Sequence, residues 1–339
     1  MSAPENTVRV ACHAMATRFE FILHGHEEAF LQAAGEEAMQ EIQRLERELG
    51  FYQASSEIAW LNQRAADEAV KVSPLLFELL KQAGQLHRDS NCTFDVTVAP
   101  LLRCWGLAGG RGRFPAPEEI EAARALVGMD LLQLDRETHT VRFAQPGVLL
   151  DLGSIGKGFA LDVAAEWLRE TGVESALIHG GTSTVFAIGS PPEADAWKVA
   201  IVRPEAGPEL GELASKPIPN QLLAKVELSN NESLSVSAVW GKSFHHEGTT
   251  YGHVIDPRTG WPVSGAFLAA VVLPSATETD ALSTALLTLG RDGHATLSKS
   301  HPKIRTLVAL PRGDAGDYDV IAEGIEMKPP PSGEANGGV

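Results

Sequence analysis

The chain has 339 residues, and its 28 lysines and arginines against 44 aspartates and glutamates leave a formal net charge of −16. With 44% hydrophobic residues and a pI near 5.1 it can bury a full core, but an acidic surface repels polyphosphate, which excludes binding to nucleic acid or an anionic membrane surface by bulk charge. Three cysteines (Cys12, Cys92, Cys104) without a C-x-x-C spacing build neither a disulfide framework nor a closed zinc site, and each is expected as a small buried apolar side chain.

The opening residues MSAPENTVRV contain neither a basic segment nor an apolar run, and no stretch approaches the roughly 18 apolar residues of a membrane span. As written, the chain is expected in the cytoplasm, or in an exported compartment if a leader has been removed. VRVACHAM and RFEFILHG, within residues 8–24, read as two extended segments, the second alternating apolar and charged residues. The period then becomes helical, with Phe30, Ala33, Ala34, Ala38, Ile42, Leu45 and Leu49 on one face and Gly50 as the stop. Ser73-Pro74 announces a second helix carrying Leu76, Leu79, Leu80 and Ala83, and a third is expected from Pro117 to about Val127. LLQL and TVRF, separated by residues 135–138, form a predicted hairpin.

VLLDLG reads as a strand leading through a glycine-rich turn into a helix over about 159–171, closed by Gly172. SALIHGG, VFAIGS, WKVAIV and AKVELS follow as strands, with a Pro/Gly/Glu-rich loop over about 203–221 before the last. LAAVVL, a helix over 280–289, TLVAL and DVIAE complete a domain at 8–326, and residues 327–339, with three consecutive prolines, are expected to be a disordered tail. Helices and strands interleave with hairpin neighbours and no internal repeat. An α+β fold with mixed or antiparallel sheets in a single large domain is the result.

Four segments carry chemistry. In Asp151-Leu-Gly-Ser-Ile-Gly-Lys-Gly158, glycines let backbone approach a ligand, a new helix presents N–H groups, and Lys157 adds a point charge, which together suit a phosphate. The spacing is not that of a Walker A loop, and the structural alternative is a tight turn with an exposed lysine. In Thr279-Asp280-Ala-Leu-Ser283-Thr284, a helix capped by Thr279 sets Asp280 and Thr284 at i and i+4 on its first turn. Such hard oxygen donors suit Mg²⁺ or Ca²⁺, the alternative being an aspartate that offsets the helix dipole.

Gly252-His253-Val-Ile-Asp256-Pro257-Arg258-Thr259-Gly260 places His253 at a strand end before a turn, either as a base near neutral pH or as a hydrogen-bonded structural histidine. His245-His246 is a metal pair only superficially, since strand neighbours face opposite ways. The fourth segment is Phe94-Asp-Val-Thr-Val-Ala-Pro100-Leu-Leu-Arg-Cys-Trp105-Gly106, preceded by Phe51-Tyr52 and Ser56-Glu57-Ile58-Ala-Trp-Leu61-Asn62. Tyr52 either stacks on a flat ring or belongs to the core.

Taken in order, Met15-Ala-Thr17, Tyr52 with Ser56-Glu57-Ile58 and Leu61-Asn62, Phe94-Asp-Val-Thr-Val-Ala-Pro-Leu, Asp151-Leu-Gly-Ser-Ile-Gly-Lys-Gly, Gly180-Gly181, His253-Val-Ile-Asp-Pro-Arg-Thr-Gly and Asp280-Ala-Leu-Ser-Thr resemble the bacterial flavin transferases of the ApbE family (FAD:protein FMN transferases) over about residues 10–300. The resemblance implies a single α+β domain of the ApbE, T-fold-like kind that moves FMN from FAD to a threonine or serine hydroxyl of an acceptor protein, releases AMP and uses Mg²⁺. It places Met15, Tyr52, Thr93, Phe94, Asp95, Asp151, Lys157 and Val254 where the family holds FAD. It gives the metal the backbone carbonyl of Ser154, the carboxylate of Asp280 and the hydroxyl of Thr284, with Ser283 adjacent, and puts His253 on the candidate general base.

Two departures bear on acceptor recognition: Thr182-Ser183 stands where the family usually has an acidic residue after Gly-Gly, and Val236-Ser-Ala-Val-Trp240 replaces its usual Thr-Ser-Gly-x-Tyr. Many members are exported lipoproteins, and no lipobox cysteine is visible here. The same site admits two other readings, a Mg²⁺-dependent FAD pyrophosphatase giving FMN and AMP, and a non-catalytic flavin-binding protein.

Overall fold

Alternation of apolar and polar residues builds the first element pair, β1 (Thr7–Ala14) and β2 (Thr17–His24), joined by a turn in which Met15 and Ala16 take φ of 51° and 58°. Phe19, Phe21 and Leu23 all point inward from β2. The structure is a computed structural model that describes residues 6–202, 222–239, 243–312 and 318–327. The expected loop at 203–221, Trp240 and the expected tail beyond Met327 lie outside the described residues.

Helix α1 (Glu28–Leu49) buries Leu31, Ala34, Ala38, Ile42, Leu45 and Leu49. Phe30 and Ala33, expected on that face, are exposed instead, and Phe30 packs on the His26 ring at 4.8 Å. Gly50 ends the helix without a left-handed turn, at φ −67°; a Cβ there would lie 2.5 Å from the Glu46 carbonyl oxygen. Next come α2 (Glu57–Arg64), capped by Ser56, β3 (Val70–Lys71) and α3 (Pro74–Asp89), capped by Ser73 as expected. Helices α4 (Ala99–Cys104) and α5 (Pro117–Arg124) follow, the latter stopping short of Val127. The predicted hairpin is β4 (Leu132–Asp135) and β5 (Thr140–Phe143), with β3 on the free side of β5.

VLLDLG is not a strand. The Asn62 side chain takes both backbone groups of Leu150, at 2.7 and 3.0 Å, and the Asp151 N–H donates to Val96, so these residues bond loops and side chains rather than a ladder. Helix α6 (Gly156–Glu170) then starts earlier than expected, with Lys157 and Gly158 inside its first turn. The remainder comprises β6 (Ser175–Gly180), β7 (Thr184–Ile188), β8 (Trp197–Val202), β9 (Leu222–Leu228), β10 (Glu232–Ala238), β11 (Ser243–His246), β12 (Thr249–Gly252), β13 (Leu268–Leu273), α7 (Ala276–Leu289), α8 (Gly293–Leu297), β14 (Arg305–Pro311) and β15 (Tyr318–Glu323).

The main sheet has eight strands in the order β1-β2-β6-β7-β10-β13-β14-β15, every pair antiparallel. Its inner strands are covered on both faces, which is why LAAVVL reads as a continuous apolar run. Ala269, Val271 and Leu273 face the α1, α6 and α7 layer, while Leu268, Ala270 and Val272 face a core closed by the β8–β9 ribbon with Trp197 and Val226. A third, smaller cluster of Leu101, Trp105, Ile120, Phe244 and Ile255 ties the β11–β12 hairpin to α4 and α5. Among the described residues no helix is long and apolar enough to cross a membrane. Of the cysteines only Cys104 is buried; Cys12 is intermediate, and Cys92 is exposed at the left-handed φ of 60°.

Helices α6 and α7 touch at Gly158, where a Cβ would overlap the Ala276 carbonyl and lie 2.8 Å from the Asp280 Cβ. The obstructing atoms are backbone or buried, so they cannot swing away. Gly158→Ala is expected to lower the unfolding free energy by about 1–3 kcal/mol, as overpacking does, read as a lower denaturant midpoint at unchanged slope. An unaltered midpoint would show that the two helices separate freely.

Candidate active site

Helix α7 starts one turn before the expected point. Ser275, not Thr279, is its N-cap, and the hydroxyl accepts the Glu278 N–H at 3.2 Å. Asp280 therefore lies in the second turn, 4% exposed, beyond the reach of the dipole explanation for its presence. The helix start is already served by Asp162 of α6, which accepts from the Ser275 hydroxyl (2.8 Å), the Ala276 N–H (2.8 Å), the Thr277 N–H (2.9 Å) and the Thr277 hydroxyl (2.6 Å).

A carboxylate as buried as Asp280 needs partners of its own. It has the Lys157 ammonium at 3.2 and 3.3 Å and the Gly158 N–H at 3.0 Å. The Gly158 amide at the start of α6, expected to receive phosphate, thus receives an internal anion. What the junction offers an outside anion is Lys157, whose side chain keeps 22% exposure and also donates to the Gly153 carbonyl at 3.2 Å. One helical turn along α7, the hydroxyls of Ser283 and Thr284 lie 2.8 and 3.1 Å from the hydroxyl of Ser237 on β10.

Asp280, Ser283, Thr284 and the neighbouring Ser237 and Gly153 carbonyl present oxygen donors. Among the described residues no three His, Cys, Asp or Glu side chains converge on a metal position. One carboxylate, the hydroxyls and the Gly153 carbonyl form a hard-oxygen set of the kind that suits a divalent cation sharing its shell with water and phosphate. The position accepts positive charge, since Lys157 already bridges the Asp280 carboxylate and the Gly153 carbonyl.

The other expected residues fall into an exposed and an inner group. Tyr52 is 68% exposed and stands edge-on to Phe51 at 5.0 Å, so it is not a core aromatic. Partial burial and the charge of Asp151 push its phenol pKa up, against the opposing Arg103. Asp151 accepts the Gly153 N–H at 2.7 Å, closing the turn that leads to Lys157. Thr93, Phe94 and Asp95 are buried: the Thr93 hydroxyl donates to Ser90 and Ala285, while the Asp95 carboxylate takes the backbone N–H and hydroxyl of Thr97. Met15 donates its N–H to Glu46 at 2.7 Å from the hairpin turn, and the neighbouring Thr17 hydroxyl fills the space where Gly181, at φ 70°, lacks a Cβ.

His253 is half-buried and follows β12 directly. Gly252 lets that strand end approach the Val239 carbonyl, where a Cβ would lie 2.6 Å away, so His253 is linked to the segment that carries Ser237. Val254 accepts from the Val263 N–H at 2.9 Å, Arg258 grips Asp256 through Nε and Nη2, and the Trp105 indole donates to Gly260 at 2.8 Å. The two departures from the family pattern meet in space, the Val236 N–H donating to the Ser183 carbonyl at 2.7 Å.

Sequence reasoning assigned no role to Asp162, to Asn62, or to the serines of β10. The serine signal was present, since Ser233, Ser235 and Ser237 alternate at strand period, but of the three only Ser237 fell in a segment that was read, and there as part of a departure.

Residues 15–308 match the ApbE family. A FAD:protein FMN transferase of Haemophilus influenzae is 29% identical over 272 residues, covering 77% of this chain and 75% of its own. One from Treponema pallidum is 29% identical over 313 residues, covering 86% and 82%. The apo flavinyl transferase ApbE of Pseudomonas stutzeri superposes with a TM-score of 0.78 at 26% identity, over 94% of this chain and 95% of that one.

Behind Phe94 and Asp95, His87 ties stability to pH. Its Nδ1 lies 2.9 Å from the Phe94 carbonyl and 3.2 Å from the Asp95 carboxylate. Burial pulls the imidazole pKa down, but the hydrogen bond and charge of Asp95 outweigh it and hold the pKa above the ordinary histidine value. Because the folded pKa is the higher one, this contribution is complete below the unfolded value of about 6.5 and disappears as pH rises through the folded pKa. The stability gap between wild type and His87→Gln is expected to be wider at about pH 5.5 than at about pH 8.5 in denaturant titrations. A gap independent of pH would contradict the pairing.

Proposed function

The chain belongs to the ApbE family, and on that premise we propose that it transfers FMN from FAD to a threonine or serine hydroxyl of an acceptor protein, releasing AMP, with Mg²⁺. The observation that carries this reading is the junction of α6 and α7, where one buried carboxylate, a lysine and a set of hydroxyls adjoin. A pyrophosphate presents charge of both kinds of consequence: it needs positive groups at its oxygens and a counter-ion that a carboxylate can hold.

Asp280, Thr284 and the carbonyl of Ser154, with Ser283 beside them, are the residues that would hold Mg²⁺. The ion, when bound, neutralises pyrophosphate oxygens and so eases departure of AMP. Lys157 contributes a second positive charge as a compact donor to phosphate oxygen. Tyr52, exposed beside Asp151, offers an aromatic face to the flavin ring system. His253 takes the proton of the acceptor hydroxyl while that oxygen bonds the FMN phosphorus and the bond from phosphorus to the AMP oxygen breaks. Thr93, Phe94, Asp95, Met15 and Val254 shape the walls around these groups.

Incubation with FAD, Mg²⁺ and a candidate acceptor tests the reading by mass. An FMN adduct on the acceptor is expected; free FMN and AMP alone would make the chain a pyrophosphatase, and intact FAD would make it a binding protein. Asp280→Ala is expected to lower transfer by about 10²-fold or more, because the site loses its one anionic cation ligand.

His253→Ala is expected to slow transfer by about 10²–10⁴-fold with little change in FAD affinity. The acid limb of the rate profile, where imidazole takes a proton, should vanish with it. A variant of normal melting temperature and near-normal rate would remove His253 from the base role.

A further inference from the structure

Strand β10 turns Ser233, Ser235 and Ser237 toward α7 at period two, on a face where a buried strand ordinarily carries Val or Leu. Helix α7 answers with Thr279, Ser283 and Thr284. Ser233 and Ser235 both bond Thr279, at 3.0 and 2.9 Å, and Ser237 meets both Ser283 and Thr284. Each hydroxyl has one hydrogen to give and two lone pairs to receive with, so the direction of each bond can be counted.

The count starts at the Asp280 carbonyl, which only accepts. Ser283 donates to it at 3.0 Å, which spends the Ser283 hydrogen. With that bond made, Ser237, 2.8 Å from Ser283, is the donor in that pair. Its hydrogen is now spent as well, so in the 3.1 Å contact with Thr284 it is Thr284 that donates, in preference to the Asp280 carbonyl at 3.4 Å. With the shorter bond to the Asp280 carbonyl made, 3.0 Å from Ser283 against 3.4 Å from Thr284, the relay runs from Thr284 to Ser237 to Ser283 to that carbonyl; the opposite order would need the longer bond.

We propose that Ser237 is a positioning residue for the divalent cation: by accepting the Thr284 hydrogen, it leaves the lone pairs of that hydroxyl free for a cation held jointly with Asp280. Without Ser237, Thr284 returns its hydrogen to the Asp280 carbonyl and rotates its oxygen toward its own backbone, a bond that Ser and Thr in helices readily make. Ser233 and Ser235 bond a different hydroxyl one turn earlier, that of Thr279, to which Ser235 donates at 2.9 Å and which lies outside the proposed ligand set. They supply an internal control.

The inference rests on the cation reading given above, and Mn²⁺ binding followed by electron paramagnetic resonance on the full chain, without FAD, separates the two. Ser237→Ala is expected to weaken Mn²⁺ binding by about 10–100-fold, the usual effect of removing a group that orients a metal ligand. Ser235→Ala, which removes a more deeply buried hydroxyl of the same strand face, is expected to lower the melting temperature while leaving Mn²⁺ affinity within about twofold. Ser237→Cys, of similar size but a poorer acceptor, should also weaken binding, and it serves if the alanine variant does not fold. Asp280→Asn should abolish binding. If Asp280→Asn does so while Ser237→Ala and Ser237→Cys bind normally, or if Ser235→Ala weakens binding as much as Ser237→Ala, the positioning role is overturned and the cation reading stands. If Asp280→Asn binds Mn²⁺ as wild type does, both fall.

Discussion

Helix α7 is buried on nearly every side yet carries Thr277, Thr279, Asp280 and Ser283 among its buried residues, and burial obliges each of these groups to find a partner inside the protein. The requirement is met from two directions. Helix α6 supplies Asp162 for the helix start and Lys157 with the Gly158 amide for Asp280. Strand β10 supplies serines for the hydroxyls. A side chain at position 158 would hold α6 away from α7 and disturb the contacts that α6 supplies. The contacts that stabilise the core and those that aim the chemical groups are the same contacts.

Around this fixed interior the more exposed groups hang from neighbouring elements. The turn containing Asp151 is held by Asn62 and Val96, which joins segments distant in sequence into one wall. The loop after β12 is anchored by the Trp105 indole on Gly260 and by the bridge between Ile255 and Pro262. Tyr52 stays largely in solvent beside that wall. Such a division suits a site that must hold a charged dinucleotide firmly and still admit a protein side chain from outside.

Much of this was legible in the chain. Period-two and helical patterns gave the paired strands and long helices, because burial on one face leaves a periodic trace. The α+β architecture followed from hairpin spacing, which left mixed and antiparallel sheets both open. What escaped detection was of two kinds. VLLDLG has strand composition, but its hydrogen bonds go to a side chain 88 residues earlier and to a loop, and no local pattern encodes a partner so remote. The start of α7 was misplaced by a turn because Thr279 and Ser275 are equally good caps, and only the position of Asp162, on another helix, decides between them. The oxygen donors of the α7 segment were visible as residue types, whereas their contact with Ser237 required the register between β10 and the helix.

The pairing of β2 with β6, which sets Phe19 opposite Gly180, has a consequence for the newborn chain. The hairpin of β1 and β2 is complete at His24, yet the strand that covers the other edge of β2 starts at Ser175, some 150 residues further along. At about 5–20 residues per second, translation leaves that edge open for on the order of ten seconds or more. During that interval Phe19, Phe21 and Leu23 form an apolar ribbon with unpaired backbone groups, the kind of edge that recruits other strands. Arg18 and Glu20, facing the opposite way, are the charges that interrupt it. The closure of that edge is thus a long-range event, set by the distance along the chain between β2 and β6 rather than by the hairpin itself.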